Sequence, residues 1–478
     1  MTEAKYEPHS VAVKLTMLLA GVVFLLMMIF GLAMRASQGG LLELDPALFY
    51  QLMTAHGAGM VGASGLAGAA ILWYFVGRYV PLLGAIYWAF LGLFLLGVVF
   101  ILGAIFIGGY AGAWTFLFPL PAISGGAWEA EAAAFFILGY TSIGVGFLLF
   151  YLEVARKLMS EYGGISGALA WPLAFGGGKP EDAPPPTVVA AMATTIFNTL
   201  GIVVGAAVLV CSLVHLLVPG FVVDALLAKN MIFFFGHVFI NAAIYMVVIA
   251  VYEIIPHYTG KPWKTSRIFA LAWTFVLIFV MAVYPHHLLQ DTVMPAWALV
   301  LGQVISYLSG IPLLAVTAFS LIVYMRGSNM KWDLGAALLV FGVAAWSVGA
   351  VPAIIDGMIA VNKVMHNTQW VPGHFHMYLI GLVAMSFGFM AWLTKPENKT
   401  EMNGVDKAAF FVYVFGGIGF TLTFLVSGAM SIPRRWAVHM EEWMLQGQIA
   451  TAFGALIIVG TLLFVIVYAA GLGQKKTS

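Results

Sequence analysis

The sequence predicts an all-α, polytopic membrane protein, and three observations carry that expectation. Of the 478 residues, 62% are hydrophobic and only 9% are charged, where a soluble domain carries roughly 25% charged residues. The mean hydropathy is +0.99. The apolar residues also fall into runs long enough to cross a bilayer, for which about 20 residues suffice. In lipid, such runs satisfy their own backbone as helices unless they close into a barrel.

In chain order the runs lie near 11–35, 49–77, 81–108, 129–155, 186–218, 230–255, 267–285, 294–325, 334–361, 373–394, 407–430 and 443–471. The first follows a polar start with Glu3, Lys5 and Glu7 and is long enough to span and stay, so no cleavable leader is expected. Twelve crossings return both termini to one side. With an inward N-terminus, 16 of the 21 Lys and Arg residues lie on inner segments, among them Lys5, Lys399, Lys475 and Lys476. Arg35, Lys229, Lys363, Arg434 and Arg435 lie outside. That bias predicts cytoplasmic termini in a single transmembrane domain spanning 1–478.

Two connectors are long. The inner one, about Ser160 to Pro186, holds Gly176-Gly177-Gly178 and Pro184-Pro185-Pro186 and is expected to be irregular. The outer one, Gly109 to Trp128, holds Trp114, Phe116, Phe118 and Trp128 and reads as an aromatic lid at the interface. A formal net charge of +1 gives no basic footprint for nucleic acid. The single cysteine, Cys211, excludes an internal disulfide and a cysteine cluster, which leaves histidines as the metal candidates.

Eleven histidines occur. His9, His215 and His257 sit near run ends or the terminus, where interfacial positions explain them. Six others lie at membrane depth, where an ionisable residue marks a functional site by default. His56 is in Thr-Ala-His-Gly-Ala-Gly-Met, among residues small enough to admit a planar group. His237 follows Phe233-Phe234-Phe235-Gly236. His286 and His287 are adjacent in Tyr-Pro-His-His-Leu-Leu-Gln-Asp. His374 and His376 share one helix and, at about 100° per residue, point to nearly opposite sides of it. Six imidazoles divide naturally as two, one and three. Two axial ligands saturate a haem for electron transfer, one leaves a haem face open, and three suit copper, zinc or iron.

The order and context of these residues resemble subunit I of the haem-copper respiratory reductases, the B-type branch above all. The run from His366 to His376, His-Asn-Thr-Gln-Trp-Val-Pro-Gly-His-Phe-His, the His-His pair and a later Pro-Arg-Arg carry the resemblance over nearly the whole chain. It implies that His56 and His376 ligate a low-spin haem, expected to be haem b. His374 would be the proximal ligand of a high-spin haem of b or a type, and His237, His286 and His287 would hold copper, with iron the second choice. Arg434 and Arg435, against the overall charge bias, suit haem propionates, which arginine binds in a bidentate way. His366 and Asn367 occupy the family's neighbouring loop positions. The resemblance also implies a prokaryotic cytoplasmic membrane.

One departure bears on the substrate. Oxygen reductases of this type place a tyrosine four residues after the first copper-ligating histidine, and here that residue is Asn241. Tyr245 lies eight residues from His237, a rise of about 12 Å along a helix. An amide supplies no redox-active hydrogen, although it can hydrogen-bond a metal ligand. Cleaving oxygen takes four electrons almost at once, whereas joining two NO molecules into N2O and water takes two. The catalytic set His237, His286, His287, His374 and Asn241 therefore reads first as a nitric oxide reductase. The alternative is a cytochrome c oxidase-type oxygen reductase, and a minor one is a haem sensor without turnover.

Electrons are expected from a membrane-anchored subunit of cupredoxin or cytochrome c type, from a soluble cytochrome or cupredoxin, or from a quinol. The substrate is a small gas, and no nucleic acid is expected as a partner. Tyr252, Thr317, Ser309 and Tyr307 offer a partial inner proton route, and weak or absent pumping is expected. Glu253 and Asp356 are acids near or within the runs that structural pairing explains as well as proton transfer does.

Overall fold

The computed structural model describes residues 6, 10–218, 220–396 and 400–472. Lys5, His9, Lys399, Lys475 and Lys476 lie outside the described residues. Among the described residues twelve helical spans are long and apolar enough to cross a membrane: α1 Ser10–Gln38, α2 Pro46–Val76, α3 Gly84–Phe106, α4 Ala130–Tyr162, α5 Pro186–Leu217, α6 Ala225–Thr259, α7 Arg267–Leu288, α8 Ala296–Met325, α9 Leu334–Asp356, α10 Trp370–Thr394, α11 Gly404–Ala429 and α12 Glu441–Leu472. Among the described residues no strand forms, and one isolated bridge pairs Thr368 with Pro433.

Local chemistry sets several starts. The Asp45 carboxylate accepts from the Ala47 and Leu48 amides at the head of α2, with Pro46 as the first helical residue, where its missing N–H is not needed. Asn403 and Asp406 form a reciprocal capping box at α11.

Burial separates the spans into two classes. The apolar windows of α2, α6 and α10 are each 83% buried, whereas those of the other nine lie between 22% and 44%. These three therefore form the middle of the bundle, and they carry four of the six membrane-depth histidines. Small residues allow the close approach: a Cβ on Gly342 would stand 2.7 Å from the Gly381 carbonyl oxygen, and one on Gly381 would stand 2.6 Å from that of Gly342. Side chains there would force α9 and α10 apart.

The structure refines the expected boundaries at four places. α7 finishes as a 3-10 turn, Tyr284–Leu288, so His286 and His287 are not on regular α-helix. α8 is interrupted, with a π-helical segment at Leu314–Phe319. The ninth run ends at Asp356, and Ile359–Met365 forms a separate short helix. α10 begins at Trp370, ahead of the two histidines. The inner connector, expected to be irregular, contains short helices at Gly164–Ala168 and Trp171–Phe175. The outer connector packs as a lid, with Ala113 N–H donating to Thr54 and Tyr140 Oη donating to the Trp114 carbonyl. His215, expected at the interface, is buried against Phe118.

Candidate metal centre

One cavity of about 870 Å³ runs through the outer half of the bundle, and all six membrane-depth histidines line it. His56 from α2 and His376 from α10 face each other at one end, ring centroids 6.2 Å apart and planes 25° from parallel. A metal-bound imidazole nitrogen lies about 2 Å from its metal, so two rings coordinated from opposite sides have centroids on the order of 6 Å apart. The spacing fits. Each ring is turned by a main-chain acceptor: His56 Nδ1 meets the Met27 carbonyl and His376 Nδ1 the Pro372 carbonyl, both at 2.6 Å. With the proton on Nδ1, the Nε2 lone pair is left for a metal. Space is also provided, since a Cβ on Gly31 would come within 2.8 Å of His56 Cε1.

At the other end three nitrogens converge. His237 Nδ1 lies 3.1 Å from His287 Nε2, which lies 3.0 Å from His286 Nε2. Among the described residues these three form a group of ligand atoms able to hold one metal ion. Four-coordinate imidazole nitrogens around one metal lie roughly 3.3 Å apart, close to the spacing of these three. Side chains hold the rings here. Ser306 Oγ sits 3.1 Å from His286 Nδ1, and Asn241 Nδ2 sits 3.0 Å from His237 Nε2. The turn bearing His286 and His287 is tied to α6 by Lys229 Nζ on Asp291 at 2.5 Å and by Tyr284 Oη on Asn230 at 3.1 Å.

His374, two residues before His376 on α10, lines the same cavity, and its buried Nδ1 has no hydrogen-bond partner among the described residues. The outer loops are zipped together: Gln369 N–H donates to the Ile432 carbonyl and Arg434 N–H to that of Asn367. His366, Asn367, Arg434 and Arg435 therefore share one rim of the cavity. Burial, then the neighbouring Arg434 and Arg435 cations, pushes His366 down to about 4. Burial lowers Arg434 to about 10, and two crowded cations on an apolar rim suit an anionic partner.

Sequence reasoning missed Arg35. It lies at the outer end of α1, only 5% exposed, donating to Gln38 at 2.6 Å and to Gln369 at 3.3 Å, both neutral. Its guanidinium stands 4.4 Å over Phe424, which in turn stacks on His376. The signal was present, since an arginine within an apolar run and against the charge bias is the feature that singled out Arg434. Ser306 was also missed, and a serine in an apolar run carries no comparable mark.

Of the expected proton route, Tyr252 Oη and Thr317 Oγ1 are hydrogen-bonded at 2.6 Å, and Ser309 lines the cavity. Glu253 is structurally paired, with Thr187, Tyr79 and Arg78 all on its carboxylate. Asp356 lines the cavity and accepts from Asn362.

The family model described as cytochrome c and quinol oxidase polypeptide I matches residues 11–462. The chain belongs to that family. It is 26% identical over 243 residues to the haem-copper oxidase subunit I+III of Aeropyrum pernix, covering 50% of this chain and 29% of that protein. Cytochrome c oxidase subunit 1 of Thermus thermophilus is 24% identical over 51% of this chain and 48% of its own length. The chain thus matches less than half the length of these two relatives. The Bacillus subtilis cytochrome c oxidase subunit 1 is 24% identical over 89% of this chain and 68% of its own length. A solved haem-copper terminal oxidase superposes with a TM-score of 0.78 at 22% identity, covering 98% of this chain and 85% of that one, which establishes the fold. Membership implies haems and copper, and the twelve apolar helices make the chain an integral membrane protein. The relatives' names back oxygen better than nitric oxide as the substrate.

Proposed function

We propose that this chain is the catalytic subunit of a membrane respiratory reductase that reduces a small gas where a haem on His374 faces a metal on His237, His286 and His287. His56 and His376 would hold the low-spin haem that feeds it. The bound groups would supply the redox chemistry, and the protein's own part is orientation, charge and proton supply. Main-chain carbonyls turn His56 and His376, side chains turn His237 and His286, and Arg434 and Arg435 would bind haem carboxylates on the outer rim. Copper is the metal that three imidazoles without a nearby carboxylate favour, with iron second. The low-spin haem is proposed as haem b.

Nitric oxide is the proposed substrate, in the balance 2 NO + 2 H⁺ + 2 electrons giving N2O + H2O. One observation carries this choice: the turn beside His237 presents the amide of Asn241, which cannot give up a hydrogen atom as a phenol can. Oxygen reduction is the second reading, and the names of the relatives favour it. Tyr245 and Tyr378 line the same cavity, and either phenol would serve the oxygen reading if it reached the metal. Purified holoenzyme with a reduced donor should consume NO anaerobically, release one N2O per two NO, and turn over oxygen more slowly. Oxygen consumption at the faster rate would select the second reading. No turnover of either gas would leave the haem sensor.

Electrons would come from a membrane-anchored cupredoxin- or cytochrome c-type subunit, a soluble cytochrome or cupredoxin, or a quinol. The bias of basic residues supports cytoplasmic termini, and a prokaryotic cytoplasmic membrane is proposed with them. Proton pumping should be weak, because the tyrosine expected one turn after His237 is replaced by Asn241. Protons released outside proteoliposomes beyond those of the chemistry would refute that.

A further inference from the structure

We propose that Trp114 is a positioning residue, a wedge from the outer connector that props α2 and α6 apart and so sets the separation of the histidines they carry, His56 and His237. The proposal rests on the reading of the two ends of the cavity as metal sites and is independent of which gas is reduced.

Nearer their inner ends α2 and α6 approach closely. A Cβ on Gly68 would stand 3.0 Å from the Ala243 carbonyl oxygen, and one on Gly65 would stand 3.0 Å from the Phe239 ring. Farther out the two helices are separated by a whole indole. A Cβ on Gly57 would stand 2.6 Å from Trp114 Cδ1 and 3.1 Å from its Cγ, whereas one on Gly236 would stand 3.9 Å from Cη2, at the far edge of the ring. The indole thus lies across the gap, its pyrrole side against α2 beside His56 and its benzene edge toward α6 beside His237. It lines the same cavity as both histidines.

The connector is fastened so that the ring points inward. Ala113 has a φ of 63°, in the left-handed region that a side chain disfavours, and its N–H donates to Thr54 Oγ1 at 3.0 Å. Thr54 and Gly57, three residues apart, share one face of α2. From the other side, Tyr140 of α4 donates to the Trp114 carbonyl at 2.9 Å. Met27, Pro372, Ser306 and Asn241 each contact the histidines of one end of the cavity. Trp114 meets the helices of both.

The test uses holoenzyme purified with its metals, read at the low-spin haem by its optical spectrum and at the three histidines by the rate of metal loss to a chelator. Trp114→Ala removes the wedge, and both readouts should change. Gly57→Ala keeps the tryptophan but puts a methyl where the indole lies, and it should change both as well. Trp114→Phe keeps a ring against Gly57 and lacks the edge that faces Gly236. Its low-spin spectrum should match wild type while metal loss quickens by up to about tenfold, the low end of the range for residues that orient a ligand. Adding Gly236→Ala to Trp114→Phe fills the space left by that edge and should slow metal loss back toward the wild-type rate. A one-ended effect with a local repair separates positioning from a general loss of packing, which would show in the melting temperature without favouring either end. Wild-type metal retention in Trp114→Phe, or metal loss that Gly236→Ala does not slow, would overturn the proposal, as would a Trp114→Ala enzyme changed at one end alone. The Trp114→Phe pair decides if Trp114→Ala or Gly57→Ala fails to fold. Wild-type enzyme lacking the low-spin spectrum or the second metal would overturn the reading of the two ends, and the wedge role with it.

Discussion

The two ends of the cavity hold their imidazoles by different means. His56 and His376 are each anchored by a backbone carbonyl, from Met27 and Pro372, whereas His286 and His237 are anchored by the side chains of Ser306 and Asn241. A carbonyl cannot be mutated away, so substitution near the first pair acts through space and packing. At the three-histidine end one changed residue alters what holds the rings. The end that would transfer electrons is thus built into the main chain, and the end that would meet the gas is left open to change by single residues.

Removing ligands should break the comparison most strongly. His286→Ala should abolish gas turnover by at least about 100-fold, beyond the 10–100-fold of an outer partner, with the second metal lost and the low-spin spectrum intact. His376→Ala should do the reverse to the optical spectrum and leave the three-histidine metal in place by elemental analysis. If either variant erased both centres, the two ends would not be separately built.

Crowding the carbonyl-anchored end comes next. A Cβ on Gly31 would stand 2.8 Å from His56 Cε1 and 3.1 Å from its Nδ1, so Gly31→Ala must displace the ring from the Met27 carbonyl or move α1. Overpacking of this kind costs typically 1–3 kcal/mol. A shifted low-spin spectrum and a lower melting temperature, with the second metal's coordination unchanged, is the expected result. Ser306→Ala should have a smaller effect of opposite location, about tenfold faster metal loss to a chelator with no optical change at the low-spin haem.

The same contrast explains what was legible in the sequence. Twelve spans follow from hydropathy because lipid admits so few structures, and the six histidines and the arginine pair stand out because charge and imidazole are costly at membrane depth. Backbone partners are invisible in advance: nothing about Met27 marks its carbonyl as the acceptor for a ring on the next helix. Arg35 was counted with the outer loops because a boundary cannot say whether a side chain turns inward over Phe424 or out to water. The break in α8 was hidden for a related reason, since an apolar run looks the same whether its turns are α or π. Asn241 was legible as a departure from a pattern, but its two bonds needed the helix and the ring together.

The smallest predicted effect concerns the tie between α6 and the histidine turn. Asp291 is held below the usual carboxylate range, first by the hydrogen bond from Lys229 and against the opposing effect of burial. A depressed carboxyl stabilises the fold at pH above its unfolded value of about 3.9, and that contribution fades as pH falls through the lower folded value. Lys229 is 30% exposed, so the pair is worth only about 0–1 kcal/mol. Lys229→Met should therefore lower the melting temperature slightly at pH 6, and the gap from wild type should close as the pH is taken below about 4. The metal's retention should follow the same curve if the tie helps place His286 and His287. A gap that persists unchanged at low pH would mean that the lysine acts through its packing against the cavity rim, and that the histidine turn is held by Tyr284 and Asn230 alone.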